Sequence, residues 1–319
     1  MPAEELRLVY EMPAPAAPAV SVVIPAYNSS EFIAKTLDSV TAQTFRDFEI
    51  IIVDDGSPRD TSEAAAAYMR EKNLPGKVIR QPNAGIAGAR NTGMAAASGQ
   101  YIALLDHDDF WYPEKLARVI DIFAANPSIG LVTHDVDITR DDKVIRKYVC
   151  GANTKNVTDY LLFEDNLLTP SSTVFTREAA FKIAGFRENP EFCSVEDYDF
   201  WIRLSEVTGF YFLHETLGSY THLESGASKR VDRHVGNLEI LLKGHFAAMY
   251  PDGAPKPVQK RIDRRMAAVQ RIWAKELLKS GAGSAATAEH VRAMNSMYPF
   301  YWKNAAVTLW CLLKKITGK

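Results

Sequence analysis

Residues 101–111 read YIALLDHDDFW, an apolar run that enters three carboxylates, Asp106, Asp108 and Asp109, within four positions. Like charges at that spacing repel, and burying carboxylates without partners is costly, so a positive group is expected beside them. Asp106 and Asp108 stand two apart at a strand end and therefore point to one side. That pairing suits a hard divalent cation with oxygen ligands, leaving positions for phosphate oxygens and water. The competing reading is a turn or helix cap, which is the role expected of Asp109. His107, between the pair, points away from it and reads as packing. Two more polar clusters end strand-like runs: Asp54-Asp55 closes FEIIIVDDGS, and Ala26-Tyr27-Asn28 closes AVSVVIPAY. A carboxylate there can bind a base edge or a ribose hydroxyl. Tyr27 can offer a ring face to a base, although a lone Tyr after a strand is more often core material. Glu196 and Asp197 open VEDYDFWIRL, where a helix N-terminus favours the ionised form; read alone, they are equally an acidic first turn.

These residues need elements to position them. The first two-thirds of the chain alternates buried β-branched runs with helical periodicity: strands at VSVVIPA, FEIIIVDD, KVIRQ and YIALLD, and helices between them. Pro113 falls at a favoured first helical position. Strands and helices in this alternation predict an α/β fold with a mostly parallel central sheet flanked by helices. Ligands in such sheets bind outside the carboxyl ends of the strands, which is where all three clusters fall. Past residue 130 the pattern loosens into further strands, and VEDYDFWIRLSEVTG reads as an amphipathic helix with Phe200, Trp201 and Leu204 inward.

SVVIPAYN, VDDGSPRDT, NAGIAGARNTGMAAASGQYIALLDHDD and EDYDFWIRL together resemble the inverting family 2 nucleotide-sugar glycosyltransferases of GT-A fold, over roughly residues 20–225. The resemblance implies that Tyr27 and Asp55 line a nucleoside pocket, with Asp54 a lesser contributor. Asn83, Gly85 and Arg90 would shape the loop and helix beside the nucleotide and donor sugar. Asp106 would hold ribose or metal, and Asp108 would be the principal ligand of a Mn²⁺ or Mg²⁺ ion. Of Glu196 and Asp197, the second would be the catalytic base. His222 in SYTHLESGAS would touch metal or diphosphate, although Thr221 stands where the family usually carries an Arg. The expected reaction moves a sugar, most simply from a uridine diphosphate donor, to a saccharide or lipid-linked saccharide acceptor in surface polysaccharide or glycoconjugate synthesis. A nucleotidyltransferase would want a basic, glycine-rich triphosphate loop, which IPAYNSSEF does not supply. The other alternative is a nucleotide-sugar-binding or scaffold protein with a degenerate site; the intact Asp106, Asp108 and Asp197 speak against it.

Charge is divided along the chain. Residues 229–319 carry 17 Lys+Arg and 6 Asp+Glu (+11), leaving 20 and 33 (−13) for residues 1–228. A nucleic-acid partner would explain the basic end but not the acidic rim, so none is expected. Three organising segments follow: a flexible Pro/Ala-rich leader (1–19), a catalytic domain (20–228), and a basic, mainly helical region (229–319). In YPFYWKNAAVTLWCLLKKITGK, Phe300, Tyr301, Trp302, Val307, Trp310, Leu313 and Ile316 with Lys303, Lys314 and Lys315 fit an interfacial helix on an anionic membrane. The competing reading packs that helix on its own chain or on another subunit of a homo-oligomer. Three scattered cysteines, no signal-peptide pattern and no run long enough to span a bilayer give a cytoplasmic expectation, peripheral on the inner face if the helix binds lipid.

Overall fold

The computed structural model describes residues 5–14, 17–141, 143–151, 156–221, 231–280, 284–299 and 301–317. Its chain divides into two units, residues 1–158, 166–188 and 196–224 in the first and residues 159–165, 189–195 and 225–319 in the second. The main division falls at 224/225, and two short earlier segments join the second unit.

The first unit is built on the β-branched runs. Strands β2 (Val20–Ala26) and β3 (Phe48–Asp55) are buried at every residue, because sheet neighbours and helices cover both faces. They pair in parallel with each other, β3 with β4 (Gly76–Gln81), and β2 with β5 (Tyr101–Leu104). Helix α1 (Ile33–Thr41) buries Ile33, Leu37 and Val40, and α2 (Thr61–Glu71) buries Ala65, Ala66 and Met69. Helix α3 (Gly85–Ala96) approaches the sheet so closely that a Cβ on Gly93 would lie 2.4 Å from Val23 Cγ1. Small residues on this helix are therefore a packing requirement.

Beyond β5 the sheet becomes mixed. Strand β9 (Val174–Thr176) runs antiparallel between β5 and β7 (Ile129–Arg140), and β7 pairs in parallel with β10 (Gly209–Thr221). Strand β6 (Phe110–Trp111) pairs antiparallel with β10, and β8 (Lys143–Tyr148) hangs on β7 as a hairpin. Helix α4 (Lys115–Ala125) precedes β7, α6 (Arg177–Lys182) follows β9, and α7 (Glu196–Ser205) places Phe200, Trp201 and Leu204 fully inside, as its periodicity predicts.

The leader needs correction. Residues 7–12 form β1 (Arg7–Met12), an antiparallel edge strand on β4, and Tyr10 enters the core with its hydroxyl donating to Leu74 O at 2.8 Å. The alternation in RLVYEM carries that signal, which the Pro/Ala-rich flank obscures.

In the second unit, α5 (Val157–Phe163) contributes Phe163, whose ring lies 5.3 Å from Phe246 of α8 (Val231–Met249). Helices α9 (Lys256–Ser280), α10 (Ser284–Met297) and α11 (Trp302–Thr317) share a core of Ala267, Ala274, Leu278, Val291, Met294, Val307 and Cys311. The interfacial face expected of the last helix is therefore divided. Val307 is buried, Trp310 packs against the same core, and Lys314 donates to Leu278 O at 2.9 Å. Phe300 lies outside the described residues. Among the described residues no helix is long and apolar enough to cross a membrane.

Candidate active site

The carboxyl ends of β2, β3 and β5 bring the three polar clusters to one rim, as parallel pairing requires. Asp54 is fully buried, with Oδ1 accepting from Ser57 N at 3.0 Å and Oδ2 from Arg80 Nη1 at 2.8 Å. Both oxygens thus brace the loop after β3. Asp55 Oδ1 accepts from Gln81 Nε2 and Ala84 N, each at 2.8 Å, and Asn83 Nδ2 donates to Asp55 O at 2.9 Å. Asp55 and Asn83 are thereby one constellation. Gly56 (φ +71°) permits it, since a Cβ there would sit 2.9 Å from Asn83 N. Gly85 (φ +76°) opens α3 beside them, and Tyr27 is 49 % exposed at the end of β2.

Arg90 is the centre of the site. Helix α3 carries it into the interior, where Nη2 meets Asp106 Oδ1 at 3.0 Å and Nη1 meets Glu196 Oε1 at 2.9 Å. Its side chain is 1 % exposed. Burial pulls the guanidinium pKa down, but Asp106, Glu196 and Asp197 outweigh it and hold the group above its ordinary value. The positive group expected beside the acidic run is thus a buried arginine.

Around the run itself, Asp108 is pushed up, by burial first and by Asp106 as well, with His107 opposing. Asp109 is buried and pushed up more strongly, again by burial and then by Asp108 and Asp106. It is an anchor: Oδ1 accepts from Thr221 N at 2.8 Å and Oδ2 from the Ser171 hydroxyl. The same hydroxyl accepts from Asp106 N at 3.0 Å. His107 faces away, its Nδ1 3.2 Å from Pro25 O. Beneath lies Lys115, fully buried, its Nζ donating to Ser171 O at 3.1 Å and 3.4 Å from the Trp111 ring centroid. Burial holds that amine far below its usual pKa.

Asp197 stands at the first turn of α7. Burial, then the Glu196 charge, raise its pKa to about 7, against the opposing pull of Arg90 and the hydrogen bond from Tyr198 N. A carboxylate balanced near neutral pH is suited to accept a proton. The neighbouring Glu196 Oε2 is buried without a hydrogen-bond partner among the described residues.

The donor chemistry here fits a hard cation. Asp106 and Asp108 supply only oxygen, and burial first, then the neighbouring carboxylates, drive Asp108 and Asp109 toward their neutral forms. Another constellation, Asp135, Cys150 and His214, has its ligand atoms within 4.8 Å of one another. Lys147 Nζ already stands 3.3 Å from Asp135 Oδ2, and burial drives the Cys150 thiol upward, so that cluster suits a metal poorly.

The family profile described as glycosyl transferase family 2 matches residues 21–182, half of the chain, including the rim and Arg90. The chain belongs to this family. Among curated relatives of this family 2 chain, chondroitin synthase of Escherichia coli is 31 % identical over 236 residues, 72 % of this chain and 32 % of that one. The chain spans 39 % to 63 % of the length of the first curated relatives it matches. Two solved structures share the GT-A fold. TarS 1–349 of S. aureus in complex with UDP-GlcNAc has TM-score 0.59 at 15 % identity, covering 88 % of this chain and 89 % of that one. The mannosyltransferase PcManGT of Pyrobaculum calidifontis in complex with GDP-Man and Mn²⁺ has TM-score 0.58 at 19 % identity, covering 97 % and 90 %.

Of the residues singled out in the sequence, Arg90, Asp106, Glu196 and Asp197 form one interacting group, and Asp55 with Asn83 another. His222 lies outside the described residues. The sequence carries no sign of the places Ser171 and Lys115 take here: a serine in TPSST resembles any loop residue, and a lysine in PEKLARV resembles any solvated helix position.

Proposed function

We propose that this chain is a metal-dependent inverting glycosyltransferase that moves a sugar from a nucleotide-sugar donor to a saccharide or lipid-linked saccharide acceptor. The observation that carries the reading is Asp197, a partly accessible carboxylate with a pKa of about 7, beside a buried Arg90 that ties Glu196 to the acidic rim. Tyr27, Asp55 and Asn83 bind the nucleoside, with Asp54 holding their loop. Asp106 and Asp108 would hold Mn²⁺ or Mg²⁺, with His222 a further ligand; the ion would supply positive charge to a departing diphosphate. Asp197 orients the acceptor hydroxyl and takes its proton. The oxygen forms a bond to the anomeric carbon as the bond to the diphosphate oxygen breaks, and that electron pair leaves with the diphosphate. A single displacement inverts the centre.

A nucleoside diphosphate sugar donor, uridine in this proposal, is supported by fold neighbours bound to UDP-GlcNAc and to GDP-Man, and a polysaccharide product by the relative named chondroitin synthase. The three free cysteines fit a reducing cytoplasmic location, and the basic helical unit fits an anionic membrane surface as a peripheral partner. The experiment is nucleoside diphosphate release from a panel of nucleotide sugars with and without saccharide acceptors. Release by the wild-type protein, lost in Asp197→Asn, is expected; equal release by both would remove Asp197 from the reaction.

A further inference from the structure

The motif KRIDRR (260–265) has no use in the reaction above, and it lies in the helical unit. There Arg264, Arg265 and Arg271 of α9 line a pocket of about 300 Å³, together with Lys303 of α11 and the rings of Tyr160 and Tyr301. Glu164 and Asp165 share the lining, so four cations face two carboxylates. Two of the four are paired with those carboxylates, Arg264 at 3.5 Å from Glu164 and Arg265 at 4.0 Å from Asp165, which leaves Arg271 and Lys303 as the excess. Arg271 donates to Asn304 Oδ1 at 3.0 Å and lies 5.4 Å from the Tyr301 ring centroid. Among the described residues no carboxylate lies within ion-pair distance of it. Burial holds its pKa down, and Arg264 and Arg265 add like-charge repulsion. Guanidinium groups lining one pocket in excess of its carboxylates suit an anion with several oxygens, and phosphate is a group they bind bidentately.

A second observation indicates what carries the phosphate. Helix α11 is apolar on two sides. Its inner side, Val307 and Cys311, belongs to the core of the unit, whereas Trp302, Leu309 and Leu312 are 68 %, 57 % and 51 % exposed. Spaced seven and then three residues apart, they form one outward stripe. That stripe begins at the pocket: Trp302 adjoins the lining residue Lys303, whose Nζ is 5.6 Å from the Trp302 ring centroid. The surrounding segment 229–319 carries +11 (17 Lys+Arg against 6 Asp+Glu), complementary to an anionic surface.

We propose that this pocket binds the phosphate group of an anionic lipid while the outer stripe of α11 enters the apolar layer beside it. The inference rests on the membrane reading given above and names the group the membrane supplies. Flotation of the full chain tests it, with phosphatidylcholine vesicles containing phosphatidic acid, vesicles with oleate at matched charge, and phosphatidylcholine alone. The wild-type protein is expected to float best with phosphatidic acid. Arg271→Gln and Lys303→Gln should each raise the lipid needed for half-binding at least tenfold, and Trp302→Ser with Leu309→Ser should abolish flotation. Lys303 is exposed, so its variant folds; circular dichroism checks the other. Asp108→Ala should float like the wild type.

Equal flotation with oleate, or no effect of either charge variant, would overturn the pocket and leave the membrane reading standing. No flotation with any vesicle would overturn both. Inorganic phosphate bound in calorimetry by a protein that ignores all vesicles would overturn the lipid source. A dimer in sedimentation, dispersed by the stripe variant and indifferent to vesicles, would assign the stripe to a second copy instead.

Discussion

Arg90 and Glu196 stand 106 positions apart in the chain and meet at 2.9 Å, Nη1 to Oε1, inside the protein. The other fork of the same guanidinium holds Asp106 at 3.0 Å. One buried side chain therefore fixes the first turn of α7 against the end of β5, and with it the distance between Asp197 and the acidic run. Removing it leaves three carboxylates facing one another without compensation. Arg90→Ala is expected to cost about 3–5 kcal/mol in urea unfolding at neutral pH. Arg90→Lys restores a charge but cannot span both partners, so it should recover stability only in part and little turnover.

Asp197→Asn should separate stability from activity. The folded pKa of about 7 lies above the ordinary carboxylate value, so the folded protein binds a proton that the unfolded chain has lost. The stabilising effect of that proton is complete below the unfolded pKa near ~4 and disappears as pH rises through about 7. Above that, the ionised carboxylate costs the fold, and Asn relieves it, by a few kcal/mol to order of magnitude. The variant is thus expected to be more stable than wild type at pH 8 in urea, while turnover falls by about 10²–10⁴.

The pH–rate profile follows from the same group. A general base works ionised, so kcat/KM should rise with pH along an acid limb set by Asp197 and level off above about 7. Arg90 lowers this pKa, so any Arg90 variant that retains turnover should show the limb moved to higher pH. A limb that does not move would disconnect the two residues.

His134 gives a separate pH dependence. It is fully buried on β7, and burial lowers its pKa to about 3, with Lys115 adding repulsion. Between about 6.5 and 3 the unfolded chain takes up a proton that the folded state refuses, so stability falls as pH falls through that window. The expected contribution is a slope of about 1.4 kcal/mol per pH unit, removed in His134→Asn. Urea midpoints measured from pH 7 to 4 check it.

Gly93→Ala tests how the sheet positions Arg90. The new methyl would fall 2.4 Å from Val23 Cγ1, so α3 must lift from β2. A loss of about 1–3 kcal/mol is expected, with a larger proportional fall in turnover because Arg90 rides on the same helix.

The sequence showed the rim plainly and its wiring hardly at all. Acidic clusters after β-branched runs mark strand ends, and parallel strands bring such ends together, so Asp55 and Asp106 were legible. That Arg90 rather than a metal alone would neutralise them was not, because its partner lies 106 positions away. Strand β1 escaped because six alternating residues lie next to a Pro/Ala-rich stretch. In helix α11 apolar residues occupy two opposed arcs, and periodicity alone does not say which arc meets α9 and α10. Asp54 and Asp55 look alike in the sequence; their partners, Ser57 N and Arg80 for the first and Gln81 and Ala84 N for the second, distinguish them.

Calorimetric titration with nucleoside diphosphates, in Mn²⁺ or Mg²⁺ and in chelator, bears most directly on the proposed glycosyl transfer. One nucleotide is expected to bind only with metal, to lose binding in Asp108→Ala, and to keep it in Asp197→Asn. Failure of every nucleoside diphosphate to bind under either condition, or binding indifferent to Asp108, would contradict a nucleotide-sugar site at this rim.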